Sequence, residues 1–156
     1  MENGERRRLL ALGSATVCAA LFGSIPAARA DGEGEAQPTL PIVQLMVGDV
    51  PLLTEIASSG EQRYMGLSFR EGLGENAGML FVYPEERPLT FTMRNTRIPL
   101  SIAFITEDLV VEEIIDMDVG PGQLFPSAQP ARYALEVNQG WFERNGVEPG
   151  DEITMP

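Results

Sequence analysis

The stretch Gly78–Ile105, with the sequence GMLFVYPEERPLTFTMRNTRIPLSIAFI, decides the fold of this 156-residue chain. Apolar runs of strand length stand at its beginning, middle and end, and prolines interrupt them. The polar residues Arg94, Asn95 and Thr96 separate the last two runs, where a chain built for packing alone more often carries a Gly-rich turn. The stretch therefore predicts successive β-strands and a connecting segment that needs hydrogen-bonding groups.

The middle run also predicts which side chains are buried. Alternation with a period of two places Leu89, Phe91, Met93 and Asn95 on one face of a strand at residues 89–94. Asn95 follows the apolar face, so we expect its amide to be buried and hydrogen-bonded, because an unpaired buried amide costs about 1 to 3 kcal/mol.

Within this stretch and on both sides of it, strands are predicted at residues 42–47, 50–57, 79–83, 101–106, 109–117, 133–138 and 152–155. The first two could also be one bulged strand. Two overlapping capping boxes, Ser58 with Glu61 and Ser59 with Gln62, predict a short helix to about Phe69. A second short helix, residues 140–145, carries Trp141 and is expected to plug one end of the domain.

The connections between these strands are too short for regular crossover helices, which favours antiparallel pairing. The fold class is therefore predicted to be α+β and mainly β, a compact antiparallel β-barrel-like or sandwich domain with two short helices. We expect one shared interior for six side chains: Phe81, Phe91, Met93, Ile102, Phe104 and Leu135.

The first thirty residues have the pattern of an export signal. Three arginines at positions 6–8 precede an apolar stretch at 9–25 and the cleavage pattern Ala28-Arg29-Ala30. The paired arginines resemble a twin-arginine signal, and the general secretion route is the alternative. Cleavage would leave a flexible leader at 31–38 and one β-rich domain at 39–156, exported to the periplasm or the cell exterior without a membrane anchor.

The charge of the mature chain excludes two classes of partner. Removing residues 1–30 leaves 7 basic and 21 acidic residues, a net charge of −14. Such a surface repels nucleic acid and anionic lipid because the charges have the same sign.

The composition also limits the chemistry. The chain has no His and no Lys, and its single Cys lies in the predicted signal. Catalysis by Ser-His-Asp, Cys-His or Schiff-base groups, and zinc sites built on imidazole or thiolate, are therefore excluded within one subunit. We expect no cofactor, no metal and no catalytic residue. Carboxylates, hydroxyls, Arg and Asn remain for acid-base chemistry or for recognition of a polar ligand.

The order and spacing of many residues resemble domain-of-unknown-function family 192, a bacterial and archaeal group whose members often carry export signals. The residues that carry the resemblance are Arg63, Gly66-Leu67, Arg70, Leu73, Gly78–Phe81, Phe91, Met93, Asn95-Thr96, Ile98–Leu100, Ile102, Phe104, Leu135–Val137, Gly140, Gly146-Val147 and Gly150-Asp151. The resemblance implies a compact, β-rich, barrel-like α+β domain.

Three positions depart from the usual pattern of that family. Thr92 stands where the family usually has Trp, Arg94 replaces a usual Lys, and Ser101 stands where Asp is common. If that acidic group serves as a base or cation ligand in the family, this chain lacks it.

We take Arg94, Asn95, Thr96, Arg70 and Glu136 as the candidate ligand-binding residues. Asn95 and Thr96 can hold a ligand beside an anion-binding Arg94, or they can satisfy the backbone of a turn. Arg70 and Glu136 can line the same pocket or form an ion pair across the barrel.

The sequence favours an exported, non-catalytic binding or accessory domain whose partner is a small polar ligand or an envelope protein. The competing hypothesis is a cofactor-free hydrolase or lyase of the cell envelope. It would use Glu136 or Glu113 for acid-base chemistry and Arg94 as an electrostatic stabiliser.

Overall fold

The computed structural model describes residues 34–120 and 122–155, so the predicted export signal lies outside the described residues. Within these ranges the elements are, in chain order, β1 (Ile42–Val47), β2 (Val50–Ala57), α1 (Gly60–Met65), β3 (Ala77–Arg87), β4 (Thr90–Thr92), β5 (Leu100–Ile105), β6 (Val111–Met117), β7 (Leu124–Pro126), β8 (Ala131–Asn138), α2 (Trp141–Arg144) and β9 (Ile153–Thr154). Neither helix in these ranges has the length and apolar character needed to span a bilayer.

Seven strands form one sheet in the order β6-β5-β8-β3-β2-β1-β9, and β4 pairs separately with β7. The predicted fold class, mainly β with two short helices, is confirmed. One pair differs from the antiparallel expectation, because β2 and β3 run parallel, with Leu53 beside Ala77 and Ala57 beside Phe81. A parallel pair needs a crossover of about a dozen residues or more, and residues 58–76, which include α1, supply it.

The two outer strands of this sheet are joined, which makes it barrel-like. Val110 forms a bridge with Glu152 beside β9. The amide of Ile153 donates to the carbonyl of Leu109 over 2.8 Å, and the amide of Val111 donates to that of Asp151 over 2.9 Å. The sheet therefore curls until its first and last strands meet.

The concave side of the sheet encloses one core, which α2 closes. Leu80, Leu135 and Val137 of the central strands belong to this core, together with Trp141 and Phe142. The two α2 rings pack edge to face with centroids 5.5 Å apart. The indole nitrogen of Trp141 donates to the side-chain oxygen of Asn76 over 3.0 Å. The prediction that this helix plugs the domain is confirmed.

A second core covers the opposite side of the sheet, under α1 and the β4–β7 pair. Phe91 contacts Phe81 at a centroid distance of 5.0 Å and Phe104 at 5.9 Å, both in edge-to-face geometry. Met93 and Ile102 belong to the same core. The prediction of a single shared interior is wrong for Leu135. Its side chain points to the other side of β8, because both sides of this sheet are covered.

The helix α1 is placed by its caps. Ser59 and Gln62 form the predicted capping box, with the Gln62 amide 3.1 Å from the Ser59 hydroxyl. The helix ends at Met65, earlier than expected, because Gly66 adopts a φ of +49°. A side chain at Gly66 would also meet the Phe81 ring at 3.2 Å, so glycine lets this turn approach β3 closely.

The described end of the predicted leader contacts this helix. The Gln37 side chain donates to the carbonyls of Gln62 and Gly66, over 3.1 Å and 2.8 Å.

Candidate functional site

A cavity of about 530 Å³ lies between α1, β3, β4 and the segment that follows β4. Its apolar lining consists of Met65, Leu67, Phe69, Phe81 and Phe91. Its charged and phenolic lining consists of Arg63, Tyr64, Tyr83, Arg94 and Glu136. Asn95 and Thr96 line the same space, so four of the five predicted site residues come together there.

The polar segment after β4 is placed by a tight turn. The amide of Thr96 donates to the carbonyl of Met93 over 3.0 Å, and Asn95 between them has a φ of +63°. Asn is among the residues that tolerate this left-handed conformation best. The carbonyl of Asn95 accepts the amide of Phe69 over 2.8 Å, which ties this turn to the chain that leaves α1.

The expectation that Asn95 is buried is wrong. Strand β4 ends at Thr92, so the alternation that buries Phe91 and Met93 does not continue, and Asn95 is exposed. Thr96 is the buried residue of this turn, with 8% of its surface exposed. The turn interpretation of Asn95 is supported, and its side chain remains available at the cavity wall.

Arg94 lies at the exposed rim of the cavity. Its Nη2 donates to the phenolic oxygen of Tyr64 over 2.7 Å, which links the turn to α1. Tyr64 is itself 73% exposed. Arg94 has no carboxylate partner among the described residues, so its guanidinium keeps donors for an incoming anion.

Glu136 forms the buried end of the site. Along β8 it alternates with Leu135 and Val137 and stands between Met79 of β3 and Ile102 of β5. Only 5% of Glu136 is exposed, and its carboxyl forms no hydrogen bond or ion pair with any residue in the described ranges. Burial raises the pKa of this carboxyl from 4.5 to about 8, because the charged form loses its hydration.

Arg70 is not part of the cavity, and the predicted ion pair with Glu136 is wrong. Both terminal nitrogens of Arg70 donate to the two oxygens of Glu55 on β2, each over 2.8 Å. One of these oxygens also accepts the amide of Leu40 over 2.8 Å. Since Arg70 follows the turn after α1, which packs over β2 and β3, a carboxylate of β2 is within its reach and Glu136 is left alone.

Arg63 and Tyr83 also line the cavity, and neither was among the predicted site residues. Arg63 of α1 donates to the carbonyl of Val82 over 2.8 Å, and its guanidinium lies 4.7 Å from the centre of the Tyr83 ring. Burial raises the pKa of Tyr83, and Arg63 opposes this shift. Arg63 is one of the residues that carry the family resemblance, and this was the signal available in the sequence.

Ser101 lies on the other side of the molecule beside α2, where its hydroxyl is already satisfied. It accepts the amide of Gly140 over 2.8 Å and donates to the carboxylate of Asp116 on the neighbouring strand. The interpretation of Ser101 as a strand hydroxyl is consistent with these bonds. Glu113, the other proposed acid-base residue, accepts the amide of Ala128 over 2.9 Å and does not line the cavity.

The lining of the cavity limits the chemistry that its side chains can perform. Glu136 is the single carboxylate among the described lining residues, so the cavity has no pair of carboxylates that could act as acid and base. It does combine a buried carboxyl, apolar walls and an exposed arginine, which are the elements of a small-molecule site.

Comparison with known proteins gives a family and no activity. The family model of DUF192, described as Uncharacterized ACR, matches residues 43–155. No curated protein matches the chain.

Two solved structures are similar to this chain. One is a putative transcription regulator from Sinorhizobium meliloti 1021, with 33% identity, a TM-score of 0.68 and coverage of 73% of this chain and 92% of that chain. The other is a protein of unknown function from Novosphingobium aromaticivorans DSM 12444, with 34% identity, a TM-score of 0.70 and coverage of 74% and 86%. This chain belongs to the DUF192 family.

Proposed function

We propose that this DUF192 protein is an exported, non-catalytic domain that binds a small polar ligand with an anionic group in the cavity between α1 and the sheet. The observation that carries the proposal is the convergence of Arg94, Asn95, Thr96 and Glu136 on one space of about 530 Å³. Ligand sites are concave, largely apolar and supplied with a few polar groups, and their volumes fall in this range.

Arg94 supports an anionic group on the ligand. It is exposed at the rim, and its guanidinium donates to the hydroxyl of Tyr64 but to no carboxylate of the described residues. Three other arginines are already paired with carboxylates: Arg70 with Glu55, Arg97 with Glu71 and Arg132 with Glu107. A guanidinium that lacks such a partner offers its planar fork to a carboxylate or phosphate of the ligand.

Export of the domain is supported by the pattern of residues 1–30, with its arginines, apolar stretch and Ala28-Arg29-Ala30. Nucleic acid is a poor partner. The similar protein from Sinorhizobium meliloti is called a putative transcription regulator, but a net charge of −14 on the mature chain opposes contact with a phosphate backbone.

One observation favours the second candidate, a cofactor-free hydrolase or lyase. A carboxyl with a pKa of about 8 stands in the same cavity as Arg94, and a general acid or base works best with a pKa near the ambient pH. This candidate requires turnover of the ligand, so product formation after incubation distinguishes it from the binding domain.

The test is a thermal-shift screen of the purified protein with amino acids, sugars, small organic anions and divalent ions. A ligand at about 100 times its Kd stabilises the folded state by about 2.7 kcal/mol. We expect Arg94→Ala to remain folded and to lose the shift given by an anionic ligand.

Arg144→Ala is the matched control, because Arg144 is an exposed arginine of α2 with one bond to a backbone carbonyl. It should keep the shift. If Arg94→Ala binds every ligand as the unaltered protein does, the cavity is not the site.

A further inference from the structure

We propose that the ligand is a zwitterion with an apolar body, and that its ammonium group pairs with the carboxylate of Glu136 while its anionic group stays at Arg94. This inference rests on the proposed function and specifies the class of ligand. It starts from Glu136, the one carboxylate among the described lining residues, which is deeply buried and has no hydrogen-bond or ion-pair partner in the described ranges.

The position of Glu136 leaves its carboxyl available to a partner from outside the chain. It lines the cavity, is 95% buried, and forms no hydrogen bond or ion pair within residues 34–120 and 122–155. A buried polar group without a partner is destabilising, and such groups are rare in folded proteins. A ligand that enters the cavity can supply the missing partner.

The choice of Glu over Gln indicates the charge of that partner. A Gln side chain has the same shape and would provide a neutral hydrogen-bond donor and acceptor. The property that a carboxyl adds is a negative charge, which develops when a cation arrives beside it. Phe81 and Phe91 line the same cavity, and aromatic rings also attract ammonium groups.

An inorganic cation fits this position poorly. No group of three His, Cys, Asp or Glu residues able to hold a metal occurs among the described residues. Calcium takes about six to eight oxygen ligands, and one carboxylate among phenylalanines cannot supply them. An organic ammonium ion carries its own apolar body and needs fewer oxygens.

The remaining charged and titratable lining residues set the other end of the ligand. Arg63 and Tyr64 come from α1, Tyr83 comes from β3, and Arg94 follows β4. The phenol groups offer hydrogen bonds, and burial raises the pKa of Tyr83, so this phenol adds no negative charge near neutral pH. Two arginines and one carboxyl therefore face the ligand. A purely anionic molecule would leave Glu136 unpaired, and a purely cationic one would meet the arginines, whereas a zwitterion satisfies both.

The pairing of Glu136 with an ammonium group can be measured through the proton that the carboxyl releases. Burial holds the pKa of Glu136 at about 8, so most of this carboxyl is protonated at pH 7 in the free protein. Pairing with an ammonium group requires the carboxylate, so binding must release about one proton from the protein to the buffer at pH 7.

The experiment uses three probes that share one apolar body: phenylalanine, phenethylamine and phenylpropionate. Their affinities for the purified protein are measured by isothermal titration calorimetry at pH 7 in MOPS and in Tris, whose heats of ionisation differ. We expect phenylalanine to bind at least about tenfold more tightly than phenylpropionate, since its ammonium adds an ion pair. Its apparent heat should change with the buffer by the amount that corresponds to about one released proton.

Two variants separate the ends of the ligand. Glu136→Gln should lose about tenfold in affinity for phenylalanine and phenethylamine, keep its affinity for phenylpropionate, and release no proton. Arg94→Ala should weaken the binding of phenylpropionate and leave unchanged the part of the affinity that comes from the ammonium group.

The outcomes distinguish this inference from the proposed function. If phenylpropionate binds through Arg94 but phenylalanine is no tighter and releases no proton, the inference is overturned and the proposed function stands. If binding of all three probes is unchanged in both variants, or if none of them binds, both the inference and the proposed function are refuted for this cavity. Circular dichroism confirms that each variant is folded.

Discussion

Replacing Glu136 by Gln should make the protein more stable at neutral and alkaline pH and leave it unchanged in acid. Gln has nearly the same shape but cannot ionise, so it removes the electrostatic penalty and keeps the packing among Met79 and Ile102. The change therefore isolates the cost of a buried charge.

The sign follows from the two pKa values of Glu136. In the unfolded chain the carboxyl ionises above about 4.5, whereas in the folded protein it ionises at about 8. Between these values unfolding releases a proton, so rising pH favours the unfolded state. The contribution of the neutral Glu136 carboxyl to stability is fully present below pH 4.5 and is lost progressively as the pH rises toward 8.

The magnitude follows from about 1.36 kcal/mol for each pH unit between the two pKa values. The free energy of unfolding of the variant should exceed that of the original protein by about 0 kcal/mol at pH 4.5, at most about 3 kcal/mol at pH 7, and at most about 5 kcal/mol above pH 8. For a domain of this size, each kcal/mol corresponds to roughly 4 °C in Tm.

Urea denaturation at pH 5, 7 and 9, followed by the fluorescence of the buried Trp141, measures this difference. Glu112→Gln is the matched control, because it removes one carboxylate from an exposed position of β6. Its effect should stay within about 0.5 kcal/mol at every pH. A constant difference between Glu136→Gln and the original protein from pH 5 to 9 would refute the reasoning, since it would mean that Glu136 ionises normally in the folded state.

Three further predictions concern the second core, the buried ion pair and export. Phe91→Ala should destabilise the domain by about 3 to 5 kcal/mol in urea denaturation, because this ring packs against two others, and a loss below about 1 kcal/mol would contradict the packing. Arg70→Ala should cost about 3 kcal/mol by leaving Glu55 buried and unpaired, and the additional change Glu55→Gln should recover part of that loss, whereas full additivity would argue against the pair. N-terminal sequencing of the exported protein should show that residues 1–30 are absent. Replacing both Arg6 and Arg7 by Lys should block export if the twin-arginine route is used, and unchanged export would indicate general secretion.

Local patterns predicted those parts of the fold that depend on neighbours in sequence. The apolar runs around Leu80 and Phe104 located two of the strands, and Ser59 with Gln62 located the start of α1. The short strand β7 was not predicted, because its three residues have no periodicity and gain their pairing only from β4. The parallel pairing of β2 and β3 likewise depends on where α1 packs.

Among the candidate site residues, local patterns likewise predicted some features, whereas others depend on tertiary packing. Alternation placed Glu136 opposite Leu135, but only the packing of α1 and β4–β7 over that face makes it buried. The partner of Arg70 is Glu55, fifteen positions earlier in the chain, and a crossover connection brings the two together. Asn95 was misplaced because the end of β4 is set by pairing with β7, which the sequence pattern does not show.

The separation of β4 and β7 from the seven-stranded sheet has a consequence for hydrogen exchange. These strands share three residue pairs with each other and none with the main sheet, and side chains such as Phe91 hold them over it. Their amides can therefore exchange through local opening, while those of β3, β5 and β8 exchange only when the whole domain unfolds. A ligand that bridges Arg94 and Glu136 would hold the β4–β7 pair against the sheet, so slower exchange of the β4 and β7 amides would report occupancy of the cavity.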